Sequence, residues 1–399
     1  MTEMLIIDAD THVTEPPDIW VDRMPKKWGD LIPHVREDNG EEAWFVGGKR
    51  MASVVSSSSM RINPETGGRL REKPSTDSVY ATGSGYAALH PSSYDAKARL
   101  VAMDELGLYA AVLYPNLNLV INDLHEQYGD PAYKLDVIRA YNDWMIDWSS
   151  PDQSRLIPLA LVPYFDPEVA AAEIYRCKEA GHRGLVTTGR PHWHGHPPLA
   201  DKSWDPMWRA AEETGLSINF HVGANENFLG KYVNAERIAA ETPLGMVARA
   251  TTDILLDNAS TLSDLLFSGV LPRFPDLKFV LVETGMGWVN FCLEASDYHF
   301  SRYGVGERRP EFKELPSFYF HRQVYTTYWF EKMHPFHLES IGVDNLMFET
   351  DYPHPTSLEA SEIKWAVEEG LSGLSKKDKE KIMWRNAAGV YGLDVPVSE

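Results

Sequence analysis

The sequence predicts an α/β chain folded as a (β/α)8 barrel of the TIM type, with a long excursion after its first strand. Three observations carry this. Short runs rich in β-branched and apolar residues recur eight times along the 399 residues. Stretches with helical character separate most of them, and strands alternating with helices imply βαβ units and a parallel sheet. Polar residues suited to catalysis gather where several of these runs end, at the face where such barrels carry their chemistry.

Taken in order, the strand-like runs lie at 5–12 (LIIDADTH), 109–116, 155–163, 183–189, 217–223, 278–285, 323–329 and 345–351. Between them stand the helix-like segments YDAKARLVAMDEL, YKLDVIRAYNDWMIDW, PEVAAAEIYRCKEA, WDPMWRAAEETG, a long stretch around 246–269, and WVNFCLEASDYHF. KKDKEKIMWRNAAGVYGL reads as a closing helix. A doubly wound sheet is the alternative, but no run is followed by a GxGxxG turn, which weakens its dinucleotide-binding version. The whole of 1–399 is expected as one barrel domain. Residues 21–93 break the rhythm with stretches such as SSSSM and RINPETGG. A segment this long without periodicity is expected to be a lid, a small excursion or disorder, placed on the catalytic face.

Composition narrows the function classes. Hydrophobic residues make up 43% and charged residues 24% of the chain, so a packed core is expected. The formal charge of -20 argues against nucleic acid and anionic membrane surfaces, both of which reward basic patches. Cys177 and Cys292 lie far apart, without a CxxC pair, which suits a reducing compartment. No basic segment leads into an apolar one at the N-terminus, and no stretch reaches the roughly 18 apolar residues that span a bilayer. The expectation is a cytoplasmic protein acting on a small molecule.

The chemistry gathers at the strand ends. Strand one ends in Asp10-Thr11-His12, strand five in Asn219-Phe220-His221, strand six carries Glu283, and strand eight ends in Glu349-Thr350-Asp351, followed by His354. Strand side chains alternate, so Asp10 and His12 face the same way. His221 and Asp351 sit at the same height on their own strands. Asp10, His12, His221 and Asp351 therefore converge at the barrel mouth as a candidate metal cage. Two imidazoles with two carboxylates suit a divalent ion, zinc first, with manganese or iron as alternatives. Each residue taken alone has a structural explanation, as a core histidine or a helix cap; the combination on separate strands carries the inference. Asp8 shares their parity but lies one pleat deeper, and a structural role is expected for it.

IDADTH, GHPPLADKSWDPMWRAAEETGLSINFHVG, VLVETGMGW and FETDYPH together resemble the amidohydrolase superfamily. The resemblance is to the branch that includes aminocarboxymuconate semialdehyde decarboxylase and the resorcylate-type decarboxylases. It covers most of the chain apart from 21–93, and implies a (β/α)8 barrel with a metal at its mouth and a homo-oligomer. It maps the ligands onto Asp10, His12, His221 and Asp351. Two positions depart from that branch: Asp10 stands where its strand one often has His or Glu, and Glu283 where strand six usually has His.

Glu283 could act as a general base, a partner of a ligand or an extra ligand. His354 would hydrogen-bond the substrate or a water. In RPHWHGHPP, Trp193, His194 and His196 are candidate substrate contacts on a loop. Trp20, Arg50 and Arg61 would reach the site if the excursion folds over it. The leading expectation is metal-assisted hydrolysis of a small, aromatic or cyclic substrate, with catalytic residues Asp351, Glu283 and His354. Asp351 would take the proton of an activated water. Non-oxidative decarboxylation of an aromatic or dienoic acid is the alternative, and a catalytically silent ligand-binding barrel comes third.

Overall fold

A computed structural model describes residues 4–55, 58–72, 85–117, 129–222, 236 and 240–395. Eight parallel strands form the barrel in the order β1 (Ile7–Val13), β7 (Ala110–Pro115), β8 (Leu156–Leu161), β9 (Gly184–Thr187), β10 (Ser217–His221), β11 (Phe279–Val282), β12 (Val324–Tyr328) and β13 (Leu346–Phe348). Seven fall inside the runs expected from sequence and β1 passes the end of its run by one residue, Val13; residue 223, at the end of the fifth, lies outside the described residues. The ring closes just beyond β13. There the His12 N–H donates to Tyr352 O at 2.6 Å, and the Asp351 N–H donates to Asp10 O at 3.0 Å. This closure puts the last strand's carboxylate beside the first strand's.

Local chemistry starts and stops the surrounding helices. Asp95, Asp130 and Asp166 cap Ala96–Leu106, Pro131–Ser149 and Pro167–Ala180, each accepting free N–H groups of the first turn. Proline stands in the first turn of the latter two, where its missing N–H costs nothing. Gly107 and Gly181 end the first and third helices at positive φ, which a side chain would resist. All seven residues of β1 are buried, as in a strand covered on both faces. Among the described residues, no helix is long and apolar enough to cross a membrane.

The excursion is more ordered than its sequence suggests. β2 (His34–Asp38), β3 (Glu41–Val46) and β4 (Lys49–Ser53) make an antiparallel sheet, and β5 (Met60–Ile62) pairs with β6 (Arg69–Arg71). The turn signals were present: Asn39-Gly40 and Gly47-Gly48 join the three strands, and all four residues have positive φ. Residues 56–57 and 73–84 of the excursion lie outside the described residues. The β5–β6 hairpin grips the segment after β13. Ser59 N–H donates to Pro353 O at 2.9 Å, Arg69 forks onto Glu359 at 3.0 and 3.1 Å, and Arg71 meets Glu362 at 2.9 Å. The excursion thus braces the loop that carries His354.

Candidate metal centre

Parity along β1 sorts its three polar side chains by depth. Asp8 accepts from Thr350 N at 2.8 Å, from Thr350 Oγ1 and from Asp10 N at 3.2 Å, so its carboxylate ties the first strand to the last. Two pleats higher, His12 Nδ1 lies 2.9 Å from Pro115 O, and His221 Nδ1 lies 2.6 Å from Val222 O. A carbonyl can only accept, so both Nδ1 atoms carry protons, and in the neutral rings both Nε2 atoms present lone pairs. Those two Nε2 atoms face each other at 3.0 Å.

Carboxylates surround this pair. Asp10 Oδ1 is 3.5 Å from His12 Nε2, its Oδ2 is 3.4 Å from His221 Nε2, and neither oxygen receives a well-directed hydrogen bond. Glu283 Oε2 is 3.7 Å from His221 Nε2. One donor atom from each of Asp10, His12, His221 and Glu283 lies within 4.8 Å of the others, and all four residues are buried. Facing lone pairs and undonated carboxylate oxygens are costly in a dry interior. A divalent cation relieves both at once, so the donor set fits one. Without a cation, a proton must serve. Burial works against a charged His221, yet Asp10 and Glu283 outweigh it and push its pKa up to about 9. Burial, with His354 and His221 nearby, holds His12 well below its ordinary value.

A second cluster abuts the first. Asp351 Oδ1 lies 3.6 Å from His12 Nε2 and 2.7 Å from His354 Nδ1, while Thr356 Oγ1 donates to its other oxygen. The His354 ring stacks on His12 with centroids 3.9 Å apart. Its Nε2 lies 2.7 Å from Asn116 Oδ1, and Asn116 is oriented by Nδ2 donating to Thr14 Oγ1. That network places the Nε2 proton on His354, and its Nδ1 stands beside Asp351 Oδ1 without a well-directed hydrogen bond to it. Burial lowers His354 to about 3, and burial together with Asp10 raises Asp351 well above the carboxylate range. Both shifts favour the acid form of Asp351 beside a neutral His354.

Glu283 and Asp351 have φ of 57° and 61°, the left-handed region that side chains resist. Glu283 follows β11 directly and Asp351 stands three residues beyond β13; both turn inward. The Glu283 N–H is held by Glu349 Oε2 at 3.0 Å, and Glu331 accepts from the N–H groups of Met286 and Gly287 at 2.8 Å each. Burial and Asp351 raise Glu283 well above its ordinary value; burial and Asp10 do the same for Glu349.

All four expected ligands and both further catalytic candidates thus meet at one end of the barrel. The remaining candidates stand on the loop after β9. His194 and His196 lie with ring centroids 5.7 and 5.5 Å from Tyr164, and Trp193 stacks under the Arg190 guanidinium. Trp20 and Arg50 do not form a lid. Trp20 is buried against Trp44 and donates to Val137 O, while Arg50 pairs with Asp38 and Glu41 on the surface. Arg61 pairs with Glu72. Sequence reasoning missed Asn116 and, although it noted Glu349 at a strand end, gave it no role. Both end barrel strands, as the expected site residues do, and that was the available signal.

Comparison with known proteins gives the same fold. The amidohydrolase family profile matches residues 7–393. A gamma-resorcylate decarboxylase of Polaromonas sp. (strain JS666) is 24% identical over 323 residues, covering 74% of this chain and 87% of that protein. The crystal structure of an amidohydrolase from Mycobacterium avium subsp. paratuberculosis aligns over 98% of this chain and 100% of its own, with TM-score 0.75 and 22% identity. A 5-carboxyvanillate decarboxylase of Novosphingobium aromaticivorans, crystallised with bound manganese, aligns over 75% of this chain and 82% of its own, with TM-score 0.60 and 20% identity. By the profile, which spans nearly the whole barrel and both carboxylate–histidine clusters, this chain is an enzyme that belongs to the amidohydrolase family.

Proposed function

We propose that the protein is a divalent-metal-dependent, non-oxidative decarboxylase of a hydroxylated aromatic acid. The observation that carries this is the place of Asp351 between the two clusters, with Oδ1 3.6 Å from His12 Nε2 and 2.7 Å from His354 Nδ1, where burial and Asp10 favour its acid form. Ring decarboxylation needs an acid at the start of turnover, because a proton must reach the carbon that loses the carboxylate. Hydrolysis needs a vacant base at the water instead, and a carboxyl that burial and Asp10 hold toward its acid form is a poor one. The relatives support the reading, since those at 23–24% identity are gamma-resorcylate decarboxylases. Hydrolysis, the first expectation from sequence, ranks second; the buried Glu283 beside His221 is the group that would serve it as base. The silent barrel ranks last, because a binding barrel needs no such set of facing donors.

Asp10, His12 and His221 would hold the metal. Glu283 is favoured as the fourth donor, and Asp351, although within reach, is assigned to proton transfer. When bound, the cation supplies Lewis-acid charge that neutralises substrate oxygens. Asp351 delivers its proton to the ring carbon bearing the carboxylate. The bond to the carboxyl carbon then breaks, its electron pair restores the aromatic ring, and carbon dioxide leaves. Asp351, now a carboxylate, regains a proton from solvent through His354, which is partly exposed. Asn116 keeps the His354 ring turned for that relay. Zinc and manganese both suit two imidazoles with carboxylates; manganese is favoured, because the 5-carboxyvanillate decarboxylase was crystallised with it. Trp193, His194 and His196 are assigned to the substrate side, and residues 21–93 to cover and bracing within a single domain. A cytoplasmic homo-oligomer completes the proposal.

The test is gas evolution. Metal-loaded protein should release carbon dioxide from one or more members of a panel of hydroxybenzoates. Release from none, with turnover of lactones or amides, would move the assignment to hydrolysis.

A further inference from the structure

Arg190 sits three residues beyond the end of β9 and differs from the other buried arginines. It is 6% exposed. Arg61, also buried, pairs with Glu72, and Arg99 donates to the carbonyls of Ser92 and His12. Among the described residues, Arg190 faces no carboxylate, and its Nε is buried without an acceptor. Its guanidinium carbon lies 3.9 Å from the centroid of the Trp193 ring. A buried cation stacked on a ring but lacking an anion is expensive unless an anion arrives.

The pleat shows where it points. Ser217 pairs with Gly184 and Phe220 with Thr187, so Thr188 stands level with His221 and Arg190 one pleat further out. A Cβ on Gly184 would meet Ser217 Oγ and Asn219 Nδ2, and Asn219 lies inside the barrel, bonded to Tyr114 and Tyr391. A Cβ on Gly189 would instead meet Thr261 of the outer helix Pro243–Ser268. Positions 184 and 186 therefore face the interior, and the same alternation carried past the strand end, with Gly189 turned outward, sets Thr188 and Arg190 on that side. Arg190 overhangs the barrel mouth from the strand next to the one bearing His221.

We propose that Arg190, braced by Trp193, seats a second, non-reacting anionic group of the substrate. The substrate class is then an aromatic acid carrying another carboxylate or an ionised phenol; this rests on the decarboxylase reading above. The reacting carboxylate is a poor partner, because it leaves as neutral carbon dioxide and an ion pair to it would be lost in the transition state. An anion that keeps its charge throughout holds the ring without opposing the reaction. Arginine's planar fork matches such a group with two hydrogen bonds, and the indole below limits its motion.

The test is binding, read by calorimetry on manganese-saturated protein, with isophthalate and benzoate as probes. Isophthalate should bind roughly ten- to a hundredfold more tightly, the size of a charge-assisted contact. In Arg190→Gln that ratio should fall to near one. Trp193→Leu, at a residue 42% exposed and so tolerant of change, should lower it part of the way. Equal affinity in the wild type, no binding of either probe, or a ratio that survives Arg190→Gln overturns the proposal. Should Arg190→Gln not fold, an unchanged ratio in Trp193→Leu does the same. Carbon dioxide release is measured separately. A chain that prefers the dianion but releases no gas refutes the reaction and keeps the seat; gas release without the preference does the reverse.

Discussion

The imidazoles of His12 and His221 meet nitrogen to nitrogen at 3.0 Å, each with its other nitrogen tied to a backbone carbonyl. Two lone pairs held against each other are stable only with a positive charge between or beside them. Purified protein should therefore take up one equivalent of manganese or zinc and gain thermal stability on doing so. His221→Ala should lower metal affinity at least tenfold in equilibrium dialysis. A chain that binds no divalent ion would contradict the cage.

Asp351→Asn keeps the side chain's shape and removes its proton. Turnover should fall by roughly a hundred- to ten-thousandfold, while most metal binding persists through Asp10, His12, His221 and Glu283. Undiminished turnover would reject the proton-delivery role of Asp351.

Asn116→Ala removes the acceptor that holds His354 Nε2 at 2.7 Å. The account expects kcat to drop about tenfold or more with KM little changed, since Asn116 orients a relay and does not hold the substrate. A change confined to KM would make Asn116 a binding residue.

Away from the site, His182 is buried, with Nδ1 3.1 Å from Cys177 O, and burial lowers its pKa to about 4. The unfolded chain takes up that proton near pH 6.5, while the folded chain refuses it until about pH 4. Stability from this group is thus full above pH 6.5 and is lost as the pH falls through that window, by at most about 3 kcal/mol. Denaturant midpoints should fall less steeply over the same window in His182→Gln than in wild type.

The barrel was legible because each strand is a short apolar run between helical segments, and closure follows from eight such units. Asp10, His12, His221 and Asp351 were legible because strand parity and strand ends place them without knowledge of packing. Register and the handedness of single residues were not. Which carboxylate joins the imidazoles depends on Glu283 and Asp351 both taking positive φ, and no pattern in VETGMG or FETDYPH dictates that. Nor does the excursion's sequence reveal that Ser59, Arg69 and Arg71 clamp the segment after β13, because those partners lie 290 to 294 residues further along the chain. The Asn39-Gly40 turn, by contrast, was readable and pointed to a hairpin in the stretch taken as irregular. Trp20 failed as a lid residue for a simple reason: a large indole gains more from burial against Trp44 than from facing water.

The most direct measurement of the central claim is the isotopic fate of the product. With manganese-loaded protein and a hydroxybenzoate that it turns over, run in deuterium oxide, the account predicts one carbon dioxide released per product. One deuterium should stand on the carbon that bore the carboxylate, delivered from Asp351. Product carrying oxygen-18 from labelled water, formed without carbon dioxide release or ring deuterium, would contradict it and make this barrel a hydrolase.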